Sequence, residues 1–82
     1  MHCTLFAVPP SGIRLSTVPA VVTQNEITRV VCSIHRVKTS DDPDIQLLNG
    51  TKRLYGEEPV VYLHSDAATK SMERHFPILF SR

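Results

Sequence analysis

Thr23-Gln24-Asn25-Glu26-Ile27-Thr28-Arg29-Val30-Val31-Cys32-Ser33-Ile34-His35-Arg36-Val37-Lys38 admits two periodicities, and the architecture turns on which one wins. As a helix it opens on a capping box, in which the Thr23 hydroxyl and the Glu26 carboxylate satisfy each other's orphan backbone N–H groups. Behind the box, Ile27, Val30, Val31, Ile34 and Val37 recur at i, i+3, i+4, i+7 and i+10. At about 100° per residue they form a stripe roughly 120° wide, with Arg29, Cys32, Ser33 and Arg36 opposite. As a strand, the run has β-branched residues in its favour. Its alternation, however, gives Ile27, Arg29, Val31, Ser33, His35 and Val37 on one face and Thr28, Val30, Cys32, Ile34 and Arg36 on the other. Neither is uniformly apolar. Propensity differences amount to only tenths of a kcal/mol per residue, so cap plus stripe predicts a helix over 24–38.

Working outward, Cys3–Val8 reads as a strand, Pro9-Pro10-Ser11-Gly12 as a turn and Ile13–Val18 as a second strand that Pro19 stops. On the other side, 39–44 is a loop by composition. Ile45–Leu48 and Thr51–Tyr55 flank Asn49-Gly50, which suits a type I′ hairpin turn with positive φ at both residues. Gly56–Pro59 breaks the chain, and Val60–His64 reads as a central strand. Ser65 or Asp66 can cap a second helix over 66–76, with Ala68, Met72, His75 and Phe76 on one side. Pro77 ends it, and Ile78–Phe80 makes a last short strand.

These elements predict a small two-layer α+β domain spanning 1–82, an antiparallel sheet of about five strands covered by the helices. The alternative converts 27–38 to a long strand and gives an all-β barrel or sandwich. The core is expected to hold Leu5, Ile13, Leu15, Ile27, Val30, Val31, Ile34, Leu48, Val61, Leu63, Met72 and Phe76. An uncovered sheet face would be closed by homodimerisation.

Eighty-two residues bound the function as well as the fold, because so short a chain has little room for an enclosed substrate pocket. The net charge is +1, but its distribution is uneven: +3 over 1–40, −4 over 41–66 and +2 over 67–82. That pattern could select a partner by sign. Its simpler meaning is that acidic turns and basic elements meet and neutralise each other in the fold, and the overall balance is far from that of a dedicated nucleic-acid binder. No run of eighteen apolar residues suggests a membrane span. Met1–Val8 has neither a basic leader nor a long apolar stretch, so a cytoplasmic location and free thiols at Cys3 and Cys32 are expected. On that expectation the glycosylation sequon Asn49-Gly50-Thr51 counts only as a turn.

Chemical constellations are sparse. Cys32 and His35 at i, i+3 could start a zinc site or a thiol–imidazole dyad, but no second ligand pair and no nucleophile motif accompanies them. His64-Ser65-Asp66 names the members of a serine triad without its geometry. Asp41, Asp42 and Asp44 lack calcium-loop spacing. No glycine-rich phosphate loop is present. The chain is therefore expected to be a non-enzymatic interaction domain without cofactor or metal: a regulator, inhibitor or adaptor that covers a surface on a larger protein. Its contacts would come from a basic helix face (Arg29, Ser33, Arg36, Lys38) and a hairpin tip (Asn49, Lys52, Arg53). The competing reading is a DNA- or RNA-binding regulator using the same cations, whose affinity would fall steeply with salt.

Overall fold

The computed structural model describes residues 1–6, 8–38 and 43–81, and the secondary structure there is strand throughout apart from one 3-10 turn at Pro10–Gly12. Seven strands run in chain order: β1 His2–Thr4, β2 Ile13–Val18, β3 Ile27–Val37, β4 Gln46–Asn49, β5 Lys52–Leu54, β6 Val61–Ser65 and β7 Lys70–Leu79. They form two antiparallel sheets, one ordered β1-β4-β5 and the other β2-β3-β7-β6. The α+β expectation is thus corrected to its all-β alternative, a two-layer sandwich.

Neither expected helix forms. The stretch 27–37 is an eleven-residue strand paired with β2 on one side and β7 on the other. Its inward face is Thr28, Val30, Cys32 and Ile34, all at most 2% exposed. This face looks broken in the sequence only because Thr28 and Cys32 count there as polar, and because Arg36 lies beyond a bulge that shifts the alternation. A threonine methyl and a bonded cysteine both pack as small apolar groups, so the period-two pattern holds and β-branching does the rest. The supposed capping box is a turn. Glu26 N–H donates to Thr23 O at 3.2 Å, and Asn25 has φ 66°, the positive value a type II turn needs at its third residue.

The segment 66–76 is likewise no helix, since its last seven residues lie in β7. Asp66 does cap backbone donors as expected, but in the β6–β7 turn. Its Oδ1 accepts the Ala68 and Thr69 N–H groups at 2.8 and 2.7 Å, and its own N–H donates to Thr69 O at 3.0 Å. Those two N–H groups, Thr69 first, and then His64 hold the carboxyl down at about 2. A depressed carboxylate stabilises the fold above its unfolded value near 3.8, and that contribution is lost as pH falls through about 2. Asp66→Ala is therefore expected to lower the melting temperature at pH 6, with a deficit that narrows steadily as pH falls from about 4 toward 2. A pH-independent deficit in thermal melts would contradict this.

Pro77 sits inside β7, paired with Arg29. His75 O accepts from Glu58 N–H, so the alternate residues 73, 75 and 77 turn their backbone polar groups toward β6. The β6 ladder has ended at Val61↔Glu73, so the missing proline N–H breaks no pairing.

The core lies between the sheets. Cys3, Leu5, Ile45 and Leu47 come from the smaller layer, and Val30, Cys32, Ile34, Met72 and Phe76 from the larger. Of the expected core, Leu15, Ile27, Val61 and Leu63 are exposed, while Ile13 and Leu48 are only half-buried. Cys3 and Cys32 are not free thiols. They form a disulfide that ties β1 to β3 across the core. Arg74, which shares the inward face with Cys32, reaches carbonyl oxygens of Glu58 and Ile45 at 2.9 and 3.4 Å and stitches the layers together at a second place.

The β4–β5 hairpin forms one residue out of its expected phase. Asn49 pairs with Lys52, so the two loop residues are Gly50 and Thr51 rather than Asn49 and Gly50. Only Gly50 has positive φ, at 64°, as a type II′ turn requires of its first loop residue. The loop expected over 39–44 lies outside the described residues except for Pro43 and Asp44.

Candidate protein-interaction surface

Because Val30, Cys32 and Ile34 point into the core, the residues between them point out, and strand register extends this face across the larger sheet. One row reads Arg14, Ser33, Glu73, Val61 across β2, β3, β7 and β6. The next rows are Ser16, Val31, His75 and then Val18, Arg29, Pro77, followed by Ile27 beside Leu79. Among the described residues no further sheet or helix covers this side, although Val31 in its middle is only 5% exposed. At its far end Val18, Ile27 and Leu79 are 56%, 67% and 57% exposed, and the segment after β2 adds exposed Val21 and Val22. A contiguous apolar group of this kind is uncommon on a surface that meets only water.

The opposite end is polar and irregular. One extra residue in β3 lies between Ile34↔Met72 and Val37↔Lys70, and one in β6 between Tyr62↔Met72 and His64↔Ser71. Both bulges thus meet β7 at the level of Ser71. In the first, Arg36 has φ 46°, a costly conformation for a residue with a Cβ, held by its N–H donating to Ser71 Oγ at 2.9 Å. Bulges re-aim side chains. Here they accompany a depression of about 800 Å³ lined by Arg14, Ser33, His35, Leu63, Ser71 and Glu73. A second depression, of about 570 Å³, adjoins it around Arg29, Glu58, Val61 and His75, with Glu73 lining both.

The sequence-derived contacts are scattered by this fold. Arg29 and Arg36 do not share a helix face. They stand seven residues apart on a strand, about 23 Å at 3.3 Å per residue. Arg29 belongs to the exposed sheet face and pairs its Nη1 with Glu58 Oε1. Ser33 lies on the same face, its hydroxyl donating to Arg14 O at 3.4 Å. Arg36 serves the bulge through its backbone, and exposed Lys38 follows β3. Asn49 and Lys52 lie exposed at the hairpin of the other sheet. Arg53 is committed inside that sheet, with ion pairs to Asp44 and Glu57 at 3.4 and 3.3 Å and its guanidinium 5.0 Å from the Tyr55 ring. The hairpin and the strand face therefore form no joint site. Sequence reasoning missed Arg14, Val18, Glu73 and Leu79. The signal that could have found them is the outward set of a strand alternation in 13–18 and 70–79.

Cys32, bonded to Cys3, supplies neither a thiolate ligand nor a nucleophile to His35. Among the described residues no group of three metal-ligating side chains gathers, and no helix is long and apolar enough to cross a membrane. Compared with protein-family models, curated proteins and solved structures, the chain matches none.

Proposed function

We propose that this chain is a non-enzymatic protein-interaction domain whose working surface is the uncovered face of the β2-β3-β7-β6 sheet. The supporting observation is the exposed apolar group Val18, Ile27 and Leu79, continuous with a mixed-charge region on one sheet face. An apolar patch beside polar groups is the usual composition of a recognition surface.

The occupant best matched to this face is a second copy of the chain. A two-fold axis running along the strands between β3 and β7 lays each β3 over the other copy's β7. Ile27 then meets Leu79, Arg29 meets Pro77 and Ser33 meets Glu73, while Arg14 comes over Val61. No like charges oppose each other in any of these rows. The nucleic-acid reading is weaker, because Arg29 and Arg53 already neutralise carboxylates of their own chain. In place of the cytoplasm we propose an oxidising compartment, where a disulfide such as Cys3–Cys32 persists.

Sedimentation velocity across a concentration series tests the pairing. The native chain is expected to shift from monomer to dimer as concentration rises. Ile27→Asp places a charge in the apolar group without touching the core and is expected to weaken association at least about tenfold, the effect of roughly 1.4 kcal/mol. A native chain that stays monomeric to millimolar concentration, or a variant that associates equally well, would overturn the proposed occupant.

A further inference from the structure

We propose that Asn49 is a site of N-linked glycosylation. Asn49-Gly50-Thr51 has the acceptor pattern, an asparagine followed two residues later by a hydroxyl, with no proline between. A three-residue pattern alone is weak. What gives it weight is the Cys3–Cys32 disulfide, since the compartments that allow such a bond in an ordinary domain are those through which secreted chains pass.

The geometry fits the modification. Asn49, Gly50 and Thr51 are all exposed, and they form the tip of a two-residue hairpin joining strands of four and three residues. A Cβ built on Gly50 would meet nothing within 4 Å, so the space around the tip is open. Among the described residues neither the Asn49 amide nor the Thr51 hydroxyl is tied up in a side-chain hydrogen bond. Asn49 ends β4 and Thr51 lies in the turn, so a transferring enzyme can grip both without unpicking the core residue Leu47. The co-reactant is a lipid-pyrophosphate-linked oligosaccharide. Asn49 Nδ2 attacks the anomeric carbon of its first sugar and a C–N bond forms. The C–O bond to pyrophosphate breaks, the lipid pyrophosphate leaves with the electron pair, and the amide gives up one proton to an enzyme base. The hairpin belongs to the smaller sheet, so the carbohydrate would leave the uncovered face of the larger sheet accessible. This inference does not depend on the occupant proposed for that face.

The test is expression of the full chain behind an export leader in a eukaryotic host, with the secreted product checked for the Cys3–Cys32 bond. The expected result is one discrete upward mobility shift that peptide N-glycosidase removes, leaving aspartate at position 49 by mass spectrometry. Asn49→Gln and Thr51→Ala are each expected to abolish the shift, while Thr51→Ser keeps it in part. The Ser variant shows that loss in the others reflects the acceptor chemistry and not failed folding. Disulfide-bonded native chain secreted without carbohydrate would overturn the proposal, as would a shift that survives Asn49→Gln.

Discussion

Replacing Cys3 and Cys32 together by alanine is expected to lower the unfolding free energy by about 3–4 kcal/mol. The bond closes a loop of 29 residues, and removing it returns that much loop-closure entropy to the unfolded chain. A domain of this size has a total stability of roughly 5–15 kcal/mol, so the loss is a large share of the whole. In temperature it corresponds to a drop of about 12–30 °C, at about 4–8 °C per kcal/mol. The location adds to the effect. Cys3 is the one buried member of the three-residue β1, so the bond is the main tie between that short strand and β3. Urea unfolding checks the figure: the midpoint falls, the slope rises because the unfolded chain without its cross-link exposes more surface, and a reductant reproduces the shift in the native chain but not in the variant. A double variant within about 1 kcal/mol of the native chain would contradict the account of how the layers are joined.

Phe76→Ala is expected to cost about 3–5 kcal/mol, the range for a large aromatic removed from a packed interior. Phe76 is 1% exposed, is the largest of the fully buried side chains, and stands beside Val30 where β7 pairs with β3. The control is on the same strand. Leu79 points to the opposite face and is 57% exposed, so Leu79→Ala should change the stability of the monomer by no more than about 0.5 kcal/mol. The contrast between two apolar residues three positions apart reads out which side of β7 faces the core. Similar costs for both would mean that the outer face is covered within the monomer.

Much of the local chemistry was legible in the sequence, while the tertiary arrangement was not. Ile13–Val18 is a strand with its expected boundaries, because the proline-rich turn before it and Pro19 after it leave no other choice. The Asn49–Lys52 hairpin was legible to within one residue of turn phase. Asp66 does accept backbone N–H groups as its residue type demands, whereas the Thr23–Glu26 bond is backbone to backbone and uses neither expected capping side chain. Turns use the same chemistry as helix caps, so such signals could not name the element that follows. The decisive ambiguity was in 27–37. Its apolar positions satisfy a helical period, and its strand face shows only once Thr28 and Cys32 are known to be buried.

Cys32 is buried through its bond to Cys3, a partner 29 residues away whose pairing two cysteines alone do not announce. The interaction surface was hidden for a related reason. Arg29 was visible as a cation, but Glu58, which neutralises it, is 29 positions distant, and the neighbours Leu79 and Glu73 come from the far end of the chain. The bulge in β6 at the level of Ser71 also interrupts the alternation that would otherwise have linked Leu63 to Val61 on the outward face.

The most direct test of the proposed surface is a map of backbone amide resonances in labelled protein as its concentration is raised. Shifts are expected to move at Arg14–Val18, Ile27–His35 and Glu73–Leu79 while Gln46–Leu54 in the other sheet stays still. Movement confined to Gln46–Leu54, or none anywhere over the same range, would contradict the assignment of the uncovered sheet face as the site where a second copy docks.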